Sequence, residues 1–108
     1  MSDTLLRFPV FLTEADWKSA TAGFEKRVRR FRAAKRLEQV QRVRRAMTEA
    51  DGDRWPDGDE YKYVLYLSED DYSFLCEAVG DRRNGVPRET VERISTELRM
   101  AAGDATEL

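Results

Sequence analysis

Residues 8–17, FPVFLTEADW, lie over residues 63–72, YVLYLSEDDY, at a constant offset of 55. Leu12 falls on Leu67, Thr13 on Ser68, Glu14 on Glu69, Asp16 on Asp71 and Trp17 on Tyr72. Each copy reads as a short strand of aromatic and branched residues, then a Ser or Thr N-cap with an acid three residues later, then an apolar helix. Capping chemistry is generic, so a true structural repeat and a chance recurrence both stand as readings of the echo.

Length sets the frame for these units. A chain of 108 residues makes one compact domain, long enough for one core and too short for two. An apolar share of 41% supports a globular fold, and a charged share of 37% implies long solvated helix faces. No run of 18 apolar residues exists, and the start Met1-Ser2-Asp3 lacks the basic and apolar stretches of a signal peptide. The expectation is a cytoplasmic protein with no membrane partner. The single Cys76 sits among Phe74, Leu75 and Val79, where a buried, inert thiol is expected.

The second half parses cleanly. Tyr72, Leu75, Cys76 and Val79 share a helix face after Ser68, Gly80 is placed to end that helix, and 81–85 reads as a loop. Pro87 opens an amphipathic helix with Val91, Ile94, Leu98 and Ala101 at near-ideal spacing, and 104–108 is expected to fray. The first half has no Gly, Pro or Asn between Phe24 and Ala50, so propensity alone predicts one helix from about Glu14 to Ala50. Its apolar stripe, however, runs through Trp17, Ala20, Phe24, Val28 and Phe31 and then moves to the opposite side with Ala33, Leu37, Val40 and Met47. Either the chain turns near Phe31, or a straight helix of about 55 Å shows its far half to another subunit.

Charge narrows the partner. Between Lys26 and Arg45 stand ten basic residues against Glu38 alone, leaving nine basic and twenty acidic residues in the rest of the chain. The candidates for phosphate contact are Lys26, Arg29, Arg30, Arg32, Arg36, Arg42 and Arg45. Such a helix is equally read as a solvated face or as one docked on acidic neighbours, and a membrane surface is disfavoured because the acidic remainder would be repelled by anionic lipid.

With the turn in place, each half is strand-helix-helix and resembles the ribbon-helix-helix fold of small DNA-binding regulators and antitoxins, most closely over 61–102. The residues that carry this are the strand ending at Leu67, Ser68-Glu69-Asp70-Asp71-Tyr72, Gly85-Val86 and the helix from Pro87. The first half departs from the pattern: Pro9 stands where the ribbon wants a donor, and the interhelix segment lacks a turn residue. The resemblance implies a two-stranded ribbon with Arg7, Pro9, Phe11, Lys62, Val64 and Tyr66 facing outward. One donor-rich side chain per strand is a poor base-reading set. Phe11, Val64 and Tyr66 make an apolar face that calls for a covering layer, and Pro87 lacks the amide of a phosphate nest.

Catalytic constellations are mostly missing: the chain has no His, no Gly-rich phosphate loop and no nucleophile elbow. The acidic linker 51–60 offers Asp51, Asp53, Asp57, Asp59 and Glu60, but Trp55 occupies a ligand position of a calcium-loop pattern, and an acidic turn with Trp55-Pro56 tucked on the domain is the simpler reading. A hydrolase built on this loop is the third-ranked function. The reading is therefore an α+β, mostly helical domain over 1–108 with two short strands at about 6–12 and 61–67 and three or four helices, at about 14–31, 33–50, 68–80 and 87–102, the first two being one helix if the chain does not turn. Its halves, 5–50 and 61–102, are joined by linker 51–60. The expected function is non-enzymatic nucleic-acid binding of a regulatory kind, with no catalytic residue, metal or cofactor. The alternative is an inhibitor, antitoxin-like or virion assembly module whose basic helix meets an acidic protein surface. Leu37, Val40, Met47, Phe11, Val64 and Tyr66 are expected to form a homodimer interface.

Overall fold

In the computed structural model, which describes residues 4–30 and 34–108, the alternation of the two main strands sets the architecture. In β1 (Leu6–Leu12), Phe8, Val10 and Leu12 are buried, and in β3 (Glu60–Leu67), Tyr63, Leu65 and Leu67 are buried, while the intervening residues are more open. The strands pair antiparallel with Leu6 opposite Leu67, Pro9 opposite Val64 and Leu12 opposite Tyr61. Pro9 and Val64 are themselves 55 residues apart. The offset that aligns the two halves thus also relates the strands about their own mid-pair.

Two strands were expected, and the described residues form four. Trp55–Asp57 forms β2 against the start of β3, and Thr106–Glu107 forms β4 against Leu6 and Arg7, giving the order β2-β3-β1-β4. The linker is a hairpin because Gly58, with φ of 65°, takes the first of its two loop positions, where a type II′ turn requires glycine. Trp55 is 72% exposed and does not tuck against the domain. The residues expected to fray are captured because β1 otherwise leaves an open edge. Beyond Arg7 that edge stays unpaired, so Pro9 sits where proline is tolerated.

The helices are α1 (Glu14–Val28), α2 (Ala34–Gly52), α3 (Glu69–Gly80) and α4 (Arg88–Gly103), with a 3₁₀ turn at Arg82–Asn84. Thr13 and Ser68 cap α1 and α3, accepting from the amides of Asp16 (3.1 Å) and Asp71 (3.2 Å). Pro87 stands just outside α4, whose buried stripe is Ile94, Leu98 and Ala101. The first half is two helices, not one. Phe24 and Val28 are buried from α1, and Val40, Val43 and Met47 from α2, and no straight helix could turn both stripes to one core. Phe31, Arg32 and Ala33, where the stripe changes sides, lie outside the described residues.

The second helix of each half packs on the strand of the other, α2 on β3 and α4 on β1, while α1 packs on α3. Two aromatic stacks tie the layers together: Trp17 on Tyr63 at 3.9 Å and 6°, and Tyr72 on Phe8 at 3.7 Å and 5°. The 55-residue offset converts one stack into the other. Val40 and Met47, expected to need a second subunit, are covered by this chain's own core, and of the three helical residues Leu37, Val40 and Met47 only Leu37 is open, at 56% exposure. No described helix is both long and apolar enough to cross a membrane.

Candidate functional site

The N-cap acids do not close capping boxes. Both carboxylates instead reach arginines on the second helices: Arg93 donates twice to Asp16 (both 3.0 Å), and Arg42 donates twice to Asp71 (2.7 and 3.1 Å). Gln39 adds a third bond to Asp71 at 3.1 Å. Burial alone would raise the Asp71 pKa, but the donors from Arg42, Gln39 and the Ser68 cap hold it below the ordinary carboxylate range. Arg42, read from sequence as a phosphate ligand, is therefore committed to joining α2 to α3. Arg44 is likewise engaged, donating to Glu25 at 2.7 and 2.6 Å.

The remaining cations separate by place. Arg36 is exposed, bonds Gln39 at 3.0 Å and lies 5.6 Å from the centre of the Phe74 ring, and Arg45 is exposed further along α2. Arg32 is outside the described residues. Lys26, Arg29 and Arg30 stand at the end of α1, where the fold brings up a cation that the sequence reading missed. Arg30 donates to the backbone carbonyl of Arg83 at 3.1 Å, on the turn between α3 and α4. Residues 81–85 read from the sequence as a loop, and no pattern in it placed Arg83 beside the end of α1.

Gly23 makes the approach possible. A Cβ there would stand 2.9 Å from Asn84 Nδ2 and 3.3 Å from Val86 Cγ2. Asn84, buried, donates to the Val79 carbonyl (2.8 Å) and accepts from the Val86 amide (3.0 Å), so the turn is fixed from within. Gly85 completes it with φ of 78°. The carboxylate in this region is Asp81, gripped by Arg27 at 2.6 Å and Arg83 at 3.1 Å. Hydrogen bonds from the Arg83 side chain and amide, followed by the charges of Arg83 and Arg27, hold its pKa down to about 2. With Asp81 occupied, the patch of Lys26, Arg29, Arg30 and Arg83 keeps a net positive charge. Lys26 and Arg27 also offset the negative end of the α1 dipole.

The acids of the chain gather elsewhere. A groove between α4 and the sheet end is lined by Glu60, Glu89, Glu92 and Glu97, and burial, then Glu60, raises the Glu97 pKa. Among the described residues no cluster of three or more His, Cys, Asp or Glu is placed to hold a metal. Burial pushes the Cys76 thiol up to about 11, so it is a packing residue rather than a nucleophile.

The second candidate surface is the sheet face away from the helices. Arg7, Pro9 and Phe11 alternate outward from β1, and Lys62, Val64 and Tyr66 from β3. Arg7 is opposite Tyr66, and Phe11 is opposite Lys62, whose ammonium lies 6.0 Å from the centre of the Phe11 ring. Trp55 extends the second pair across β2. No family model, curated protein or solved structure matches the chain.

Proposed function

We propose that this chain is a cytoplasmic nucleic-acid-binding regulatory protein that grips phosphates where the end of α1 meets the α3–α4 turn. The observation that carries this reading is the junction of Lys26, Arg29, Arg30 and Arg83 around an acid, Asp81, that is already neutralised. Exposed guanidinium groups at different points of a rigid edge suit an extended polyanion, and such contacts supply affinity without reading sequence. The two strand-helix-helix halves, with helices exchanged across a central ribbon, support a ribbon-helix-helix-like origin. The binding mode proposed is nevertheless different, because the outward ribbon residues are not base readers. The test begins at purification. The ratio of absorbance at 260 and 280 nm should be high after a low-salt wash and fall after a high-salt wash. A ratio typical of pure protein in both, with no shift of added DNA or RNA, would end this reading.

One observation favours a protein partner instead. Arg42, Arg44 and Arg83 already meet carboxylates in forked geometry within the chain, the chemistry that an acidic protein surface would offer to Arg29 and Arg30. Under that reading nucleic acid fails to bind at low salt while an acidic protein partner is retained.

A further inference from the structure

We infer that the open face of the sheet is a stacking platform for unpaired bases, so that the ligand of the proposed nucleic-acid binder is a single strand rather than a duplex. This rests on the nucleic-acid reading above and assigns its ligand class.

Four of the large apolar side chains left exposed, Leu5, Trp55, Tyr66 and Leu108, belong to or border this face, in strands β2 and β3 or at the outer ends of β1 and β4. Its two cations stand free of acids along most of its length. Arg7 and Lys62 make no ion pair among the described residues, and the acids of this face, Asp57, Asp59 and Glu60, are confined to the β2–β3 hairpin end. The 55-residue offset lays Arg7 on Lys62 and Phe11 on Tyr66, so the face holds two matched cation-aromatic pairs on either side of Pro9 and Val64. Aromatic rings at both ends of the face, with Trp55 and Phe11 flanking Lys62 and with Tyr66 beside Arg7, each with a cation next to it, suit bases and their phosphates: stacking accepts any base, and the cation meets the backbone.

Dimensions decide among occupants. The major groove, about 12 Å wide, admits a two-stranded ribbon. β2 and β4 widen this one to three strands at each end and four overall, at about 4.8 Å per strand, which is too broad to insert. The face measures about 23 Å along β1 and about 14 Å across the strand axes, roughly 300 Å² in plan. A stable dimer needs about 800 Å² from each partner, well above the plan area of this face. Two or three unpaired bases fit the area, the number that a four-stranded sheet with exposed aromatics accommodates.

The experiment uses the full chain and fluorescently labelled oligonucleotides, a single strand of thymidines or uridines and a duplex of equal length, at about 50 mM salt. Trp17 is buried and Trp55 exposed, so quenching of tryptophan emission also reports stacking at the face. The wild type should prefer the single strand and lose Trp55 emission on binding it. Trp55→Ala and Tyr66→Ala, both at exposed positions, should each weaken single-strand binding on the order of tenfold and leave duplex binding unchanged. Charge reversal at Arg29, Arg30 and Arg83 should weaken both ligands. Single-strand affinity unchanged in both aromatic variants, or a wild-type preference for duplex, overturns the platform while leaving the phosphate patch standing. A wild-type dimer that the aromatic variants dissociate, with nucleic-acid affinity unaffected, overturns it in favour of self-association. Failure of every nucleic acid to bind the wild type removes both readings.

Discussion

Two tyrosine hydroxyls in the core have opposite fates. The Tyr72 hydroxyl donates to the Leu98 carbonyl at 2.6 Å, tying α3 to α4, and its pKa is raised by burial. The Tyr63 hydroxyl is buried and makes no hydrogen bond of good geometry among the described residues, the Arg54 guanidinium being the donor nearest to serving it. A satisfied buried bond contributes about 1 kcal/mol, whereas an unsatisfied hydroxyl carries a desolvation cost. Tyr72→Phe should therefore cost about 1 kcal/mol in a urea melt, and Tyr63→Phe should be neutral or stabilising. Equal losses would mean that Tyr63 has a partner in solution. Asp71 gives a second prediction. Its carboxyl ionises more readily folded than unfolded, so its stabilisation is complete above the ordinary Asp value of about 4 and is lost as pH falls through the depressed native value. Arg42→Ala should cost about 1–3 kcal/mol near neutral pH, less than for a sealed pair because Arg42 is half exposed. The gap to wild type should narrow in acid. A gap independent of pH would show that the arginine acts through packing alone.

At the scale of elements, the two long strands and the helices α1, α3 and α4 were legible because their periodicities are strong and their caps are explicit. Thr13, Ser68, Gly80 and Pro87 marked element ends within a residue or two. The break between α1 and α2 was visible only as a stripe changing sides, since no turn residue signals it. β2 and β4 were missed because strands of three and two residues carry no period, and they form only because β1 and β3 leave edges to pair. The candidate site was half legible: the cations at the end of α1 follow from composition, while Arg83 joins them only through the packing of Gly23 against Asn84. That contact supports a prediction. Alanine gains about 1 kcal/mol over glycine as a helix residue, but its Cβ would strike an amide held by Val79 and cannot be absorbed without breaking that bond. Gly23→Ala should lower stability by about 1 kcal/mol and displace the α3–α4 turn. An increase in melting temperature would show that the turn yields freely.

Across the whole molecule, the two halves are not independent. Each strand takes its cover from the other half's second helix, and both aromatic stacks cross between halves. A peptide of residues 1–52 should therefore be largely unfolded by circular dichroism, and mixing it with 53–108 should restore helix, whereas a stable first half on its own would contradict the interlocked core. The same interlocking holds the α1 end and the α3–α4 turn as one rigid edge, on which the functional account depends. That account is tested most directly by titrating labelled nucleic acid against salt with the wild type and with the Arg29→Glu, Arg30→Glu, Arg83→Glu variant, its fold checked by circular dichroism. The wild type should bind at about 50 mM salt and lose affinity by about 0.7 log units per log unit of salt for each single-strand phosphate neutralised, and the variant should lose binding. Absence of binding by the wild type, or the same affinity and slope in the variant, would contradict it.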